Sequence, residues 1–151
     1  AEETNQGGAI AVNLREMAKL NVPIIAIITG EGCSGGALGL AVADKVFLLE
    51  HAYYTVISPE GCASILWRDA TKAAEAADAL KITAKDLMKF NIIDGEIKEP
   101  VGGAHTNYDE VSANMKKTIV DSIEELENLS VADLKEKRYQ KFRKMGAFLE
   151  G

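Results

Sequence analysis

An α/β fold is the class this 151-residue sequence predicts, and three observations carry the prediction. In residues 7–20, Ile10, Leu14, Met17 and Ala18 recur at helical spacing with Asn13, Arg15, Glu16 and Lys19 between them, the pattern of an amphipathic helix. Residues 23–29 are apolar and largely β-branched without alternation, the look of a parallel strand covered on both faces. A glycine run, residues 30–36, and a short helix through Ala43 separate that strand from the next one. Helix, strand, glycine loop, helix, strand is an α/β order.

The remaining elements follow in turn. Residues 45–50 and 53–57 read as strands. Ser58 precedes Pro59, which suits a first helical turn, with Glu60 near the positive helix end. The Ala-rich segment 71–80 reads as helix, and Thr83 with Asp86 resembles a capping box opening another. Residues 92–97 form one last short strand, and residues 101–105 a loop. Two long helices, 108–127 and 131–145, close the chain; Ser130 caps the second and Gly146 marks its end. The expected division is a core over residues 1–107 and a helical hairpin over 108–151, packed on the core or on a partner.

Composition narrows the function classes. Hydrophobic residues at 47% and charged residues at 26% exclude wholesale disorder. A net charge of −6 argues against a nucleic-acid site built on phosphate neutralisation. Cys33 and Cys62 form no Cys-x-x-Cys, which excludes a disulfide scaffold and a self-contained zinc site and fits a reducing compartment. The apolar runs 22–29 and 35–43 fall short of the ~20 residues of a membrane span. The first residues lack the basic start of a secretory signal. A cytoplasmic chain without a membrane segment is the expectation.

Three chemistries compete for the glycine run. Gly30-x-Gly32-x-x-Gly35 matches the dinucleotide fingerprint, with Glu50 as the acidic residue ending the next strand, although the helix before Lys45 is short for a crossover. Gly32-Cys-Ser34-Gly-Gly36 matches a nucleophile elbow, which would need His51 or His105 with Asp44, Asp69 or Asp94. In the third reading, glycines at a helix N-terminus present backbone N–H groups to an oxygen that becomes negative during reaction. That reading needs no catalytic side chain. Each competes with a plain glycine turn for close packing.

Longer words decide among them. Gly30-Glu-Gly-Cys-Ser-Gly-Gly-Ala-Leu38, Val56-Ile-Ser-Pro-Glu-Gly-Cys-Ala-Ser-Ile-Leu-Trp67, Glu99-Pro-Val-Gly-Gly-Ala-His105 and Lys137-Arg-Tyr-Gln-Lys141 occur here in one order. Together they resemble the alpha subunits of the bacterial acetyl-CoA carboxylase carboxyltransferases, from about Gly7 to Phe148. Cys33 stands where that pattern more often carries glycine. The resemblance implies the C-terminal part of a crotonase-like ββα superhelix followed by two long C-terminal helices, in a family whose chains continue upstream of Ala1. It implies that the backbone N–H groups of Gly35 and Gly36 hold the oxyanion of carboxybiotin, with Gly32, Ser34, Ser58, Glu60, Gly61 and His105 binding substrate or shaping the site. The implied reaction moves a carboxyl group from biotin, carried covalently on the biotin carboxyl carrier protein, to acetyl-CoA, giving malonyl-CoA. The implied partners are a beta subunit bearing zinc, the carrier protein and biotin carboxylase, in an alpha2beta2 arrangement; no metal is expected on this chain.

Several residues read two ways. Glu60 is an acid/base candidate, but a helix N-terminal carboxylate is the stronger reading. Trp67 reads as core or interface, His105 as a site residue or a structural one, and His51 as surface. The closing helix gathers Lys135, Lys137, Arg138, Lys141, Arg143 and Lys144. These form either a solvated face or a surface for the CoA phosphates or a partner, with Arg138 and Lys141 as the expected contacts. Leu134, Phe142 and Met145 give the same helix an apolar stripe, so it docks on something.

Overall fold

The computed structural model describes residues 3–146. The predicted amphipathic helix is α1 (Gln6–Lys19). β1 (Ile25–Ile28) and β2 (Glu31–Cys33) lead into α2 (Ser34–Leu40), and β3 (Lys45–Leu49) and β4 (Tyr53–Thr55) lead into α3 (Pro59–Trp67). The chain thus makes two strand–strand–helix turns in succession, and the turns stack. β1, β3 and β5 (Gly95–Ile97) form one parallel sheet in that order, and β2 pairs with β4 in a second parallel sheet. Register sets Ile25 beside Lys45 and Phe47 beside Gly95, while Glu31 lies beside Tyr53 and Cys33 beside Thr55. That is a ββα superhelix.

Two strands depart from the sequence reading. The glycine run contains β2, because Gly32 lets the second sheet close: a Cβ there would stand 2.9 Å from Ile28 Cγ2 and 3.2 Å from the Tyr53 carbonyl oxygen. β1 is not covered on both faces. All four of its residues are half-buried, and it lies at an edge of its sheet. The core sits instead around β3, the middle strand, where Val46, Leu48 and Leu49 are buried with Ala41, Ala43, Leu87, Ile93, Ile97 and Val111.

Local chemistry starts the helices where the sequence places them. Ser58 Oγ accepts the Gly61 N–H at 3.1 Å at the head of α3. The Ala-rich segment divides into a 3-10 turn (Ala70–Lys72), opened by Asp69, and α4 (Ala73–Leu80). Thr83 Oγ1 accepts the Asp86 N–H at 3.4 Å to open α5 (Ala84–Lys89). After the 3-10 turn Ala104–Thr106, Asn107 caps α6 (Tyr108–Leu126) and Ser130 caps α7 (Val131–Arg143). α6 packs against β5 and α7 against α1. Residues 147–151, which the sequence reading includes in the closing hairpin and which contain Phe148, lie outside the described residues.

Two of the cations on α7 turn inward, while Lys135, Lys137 and Arg143 are exposed. Asp44 Oδ2 accepts the Ile24 N–H and Asp94 Oδ2 accepts the Val46 N–H, both at 2.7 Å, so each carboxylate satisfies a backbone donor where the parallel ladder begins. Arg138 pairs with Asp44 and Lys141 with Asp94, three positions apart on α7. Arg138 is 2% exposed. Arg138 and Lys141, the two cations expected to contact CoA or a partner, thus each face a carboxylate within the chain.

Candidate functional site

Cys33 leaves β2 in extended conformation at φ −132°, and Ser34 turns the chain into α2 with φ +62°, in the left-handed region that non-glycine residues rarely adopt. No side chain caps this helix. Its leading N–H groups, those of Gly35 and Gly36 among them, have no intrahelical partner because no turn precedes them. They point out of the positive helix end.

The two glycines are not equivalent. A Cβ at Gly35 would lie 3.7 Å from Ile10 Cγ2 of α1, so this face of α2 packs on a helix. At Gly36 the same construction meets nothing within 4 Å beyond its own stretch of helix, and the residue is exposed. A ligand can therefore approach the backbone at Gly36. Beside it, Ser34 and Leu38 line a largely apolar groove of about 550 Å³ that runs past Tyr54, Val56, Phe90 and Ile92 to Phe142 and Met145.

The start of α3 lies near the same end of the second sheet. Gly61 leaves room for the Ser58 cap, since a Cβ would stand 3.0 Å from Ser58 Oγ. Glu60 is exposed in the first turn. Partial burial, then the hydrogen bond and charge of Glu31, raise the Tyr53 phenol above its ordinary value, with lesser contributions from Cys33 and Glu60. Backbone donors and a nearby carboxylate are what this arrangement offers. Among the described residues, no three His, Cys, Asp or Glu side chains gather to hold a metal ion, and no helix is long and apolar enough to cross a membrane.

Residues 1–146 match the family described as acetyl co-enzyme A carboxylase carboxyltransferase-like. The chain belongs to this family. It is 58% identical over all 151 residues to the acetyl-coenzyme A carboxylase carboxyl transferase subunit alpha of Protochlamydia amoebophila, covering 48% of that protein. Over 148 residues it is 60% identical to the subunit of the same name from Clostridium beijerinckii, with 98% of this chain and 54% of that one covered. The chain spans about half the length of the curated relatives it matches.

Solved structures share the fold at low identity. A Pseudomonas malonate decarboxylase hetero-tetramer in complex with coenzyme A matches with TM-score 0.66 at 14% identity, over 91% of this chain and 54% of that one. The transcarboxylase 12S hexamer matches at 0.65 and 20% identity, over 82% and 24%. An enoyl-CoA hydratase from Mycobacterium avium subsp. paratuberculosis matches at 0.52 and 20%, over 87% and 52%. The fold is crotonase-like.

Within this family member, the remaining expected residues fall into two groups. Gly32, Ser34, Gly35 and Gly36 lie on β2 and α2, and Glu60 lies in the first turn of α3. His105 sits elsewhere, exposed on the 104–106 turn after β5. That turn is anchored by Glu99, which accepts the Ala104 N–H at 3.0 Å and pairs with both the backbone N–H and the ring of His51. The competing readings find no support: Asp44 and Asp94 are committed to α7, Asp69 to Thr71, and Glu50 to Lys98. Of the glycines of the dinucleotide pattern, Gly30 lies in the bend between β1 and β2, Gly32 on β2 and Gly35 on the seven-residue helix α2. Sequence reasoning missed Asn13, whose Nδ2 donates to the Gly39 carbonyl at 2.7 Å and joins α1 to α2. Its only sequence signal is a position three residues after Ile10, on the boundary of the apolar face.

Proposed function

We propose that this chain forms part of the alpha side of an acetyl-CoA carboxylase carboxyltransferase. The reaction takes a carboxyl group from carboxybiotin, presented by the biotin carboxyl carrier protein, and places it on acetyl-CoA to give malonyl-CoA, the first committed step of fatty acid synthesis. The observation that carries this reading is the uncapped start of α2, with Gly36 open to approach. As the N–CO2 bond of carboxybiotin breaks, negative charge moves onto the ureido oxygen. The N–H groups of Gly35 and Gly36 are set to receive it, helped by the helix dipole. The biotin nitrogen left behind takes a proton from the acetyl methyl group, and the resulting enolate attacks the released CO2. No side-chain base is needed, so Glu60 serves the helix end, and Gly32, Ser34, Ser58 and Gly61 shape the site.

In this reading the carrier and biotin carboxylase are separate proteins. A zinc-bearing beta subunit supplies the donors for the acetyl-CoA thioester, and the assembly is a cytoplasmic alpha2beta2 hetero-oligomer. The test is malonyl-CoA-dependent carboxylation of biocytin by the assembled alpha and beta subunits. Carboxybiocytin formation that needs both subunits supports the proposal. Failure of a correctly assembled complex to form it overturns the proposal.

A further inference from the structure

We infer that Asn13 is a positioning residue that sets, through α2, where the N–H groups of Gly35 and Gly36 point; the inference rests on the function proposed above. α1 has no fully buried residue, so apolar burial alone does not fix how it sits. Three contacts do. Ile10 lies over Gly35 and Gly39, where added Cβ atoms would stand 3.7 and 3.5 Å from its Cγ2. Asn13 Nδ2 donates to the Gly39 carbonyl at 2.7 Å. At the helix end, Arg138 Nη1 donates to the Met17 and Leu20 carbonyls at 3.1 and 2.9 Å.

Of these, Asn13 alone makes a directional bond to α2. The Gly39 carbonyl lies in the last turn of α2, where no following N–H of the helix can reach it, so Asn13 satisfies an orphan acceptor on a buried residue. The same Nδ2 also meets Met17 Sδ at 3.1 Å, and both neighbours are acceptors, which fixes which way the amide faces. Gly35 and Gly39 carry no side chains that could interlock with α1, so Ile10 can slide over them. The hydrogen bond is what sets rotation and register between the helices. α2 has seven residues and is about 10 Å long. A rigid rod that short transmits a shift at Gly39 to its first turn.

The experiment compares Asn13→Ala and Gly36→Ala in the assembled carboxyltransferase. Biocytin carboxylation is measured per titrated malonyl-CoA site, so that unfolded enzyme does not count. Asn13→Ala is expected to lower kcat per site about tenfold or more, as sub-ångström to ångström misplacement does, with KM for malonyl-CoA within about twofold. If it leaves no titratable site, the isosteric Asn13→Asp, which lacks the donor when ionised, is read in the same way. An unchanged kcat per site alongside an impaired Gly36→Ala overturns the positioning role and leaves the site intact. A Gly36→Ala enzyme as fast as its parent overturns the site reading, and this inference with it.

Discussion

Arg138 grips Asp44 with a two-pronged bond: Nε donates to Oδ1 at 2.9 Å and Nη2 to Oδ2 at 2.8 Å, with both side chains almost fully buried. The remaining donors reach the carbonyls of Met17, Leu20 and Val22. One guanidinium therefore ties α7 to the end of α1, to the entry of β1 and to the start of β3. The planar fork suits this task as no other side chain does. Such a pair does not guarantee net stability against an apolar alternative, but breaking it strands an unpaired buried charge.

Arg138→Ala should accordingly destabilise by about 3–5 kcal/mol, since the Asp44 carboxylate and three carbonyls lose their donor together. Arg138→Lys keeps the charge but not the fork, and should still be destabilising. Denaturant midpoints of the two variants check this. The loss should persist at high salt, because buried pairs are little screened. A change in KM for a CoA substrate with stability unchanged would instead favour the ligand-contact reading of α7.

Gly36→Ala should separate stability from activity. Nothing stands where the new methyl would go, and replacing a helical glycine by alanine gains up to about 1 kcal/mol. The melting temperature should therefore hold or rise. The rate should fall by about 10²-fold, the scale of losing one oxyanion donor, because the methyl occupies the side from which the ureido oxygen approaches. Melting curves and biocytin carboxylation on one preparation check both halves.

Ser34 is held at φ +62°, a conformation that costs a non-glycine residue about 1 kcal/mol or more. Ser34→Gly should relax it and stabilise modestly. Ser34→Ala should retain most activity in the assembled enzyme, because the hydroxyl has no assigned chemical step. Loss of turnover in Ser34→Ala, with Gly36→Ala unaffected, would favour a serine nucleophile.

What was legible in the sequence is local. Ser58, Thr83 and Ser130 each sit three residues before the N–H they cap, and the spacing of Ile10, Leu14 and Met17 announces α1 without a partner. What was not legible depends on distant residues. β2 is three residues long and centred on a glycine; only its pairing with Tyr53–Thr55 makes it a strand. Arg138 meets Asp44 across 94 positions, so a run of cations reads as a solvated face until the fold supplies the carboxylates. The difference between Gly35 and Gly36 appears only once Ile10 is laid over one of them.

Glu99 should give the chain an acid-sensitive joint. Its side chain is 5% exposed, and that burial alone would raise its carboxyl. The N–H of His51, the His51 ring and the N–H of Ala104 more than offset it, leaving the group below the ordinary 4.5. A depressed carboxyl contributes stability that is present above the ordinary value and lost as pH falls through the depressed one. Melts recorded below about pH 5 should show this loss. Glu99→Gln should melt lower at neutral pH and show a flatter acid limb. An unchanged acid limb would mean that the joint between the β3–β4 turn and the 104–106 turn is held by other contacts.

The isolated 151-residue chain should not behave as a monomer. β1 lies at a sheet edge with all four residues only half-buried, although Ile25, Ile27 and Ile28 form the kind of β-branched strand that parallel sheets cover on both faces. On α3, Ile65 and Leu66 are 72% and 63% exposed, and Leu40 at the end of α2 is 67% exposed. An open edge and apolar side chains raised into water are features proteins pair or cover. Size-exclusion chromatography with light scattering should therefore report self-association that fades when the beta subunit or the rest of an alpha subunit is supplied. A single species of monomer mass with one cooperative melt would show that the core around β3 closes by itself and that β1 needs no cover.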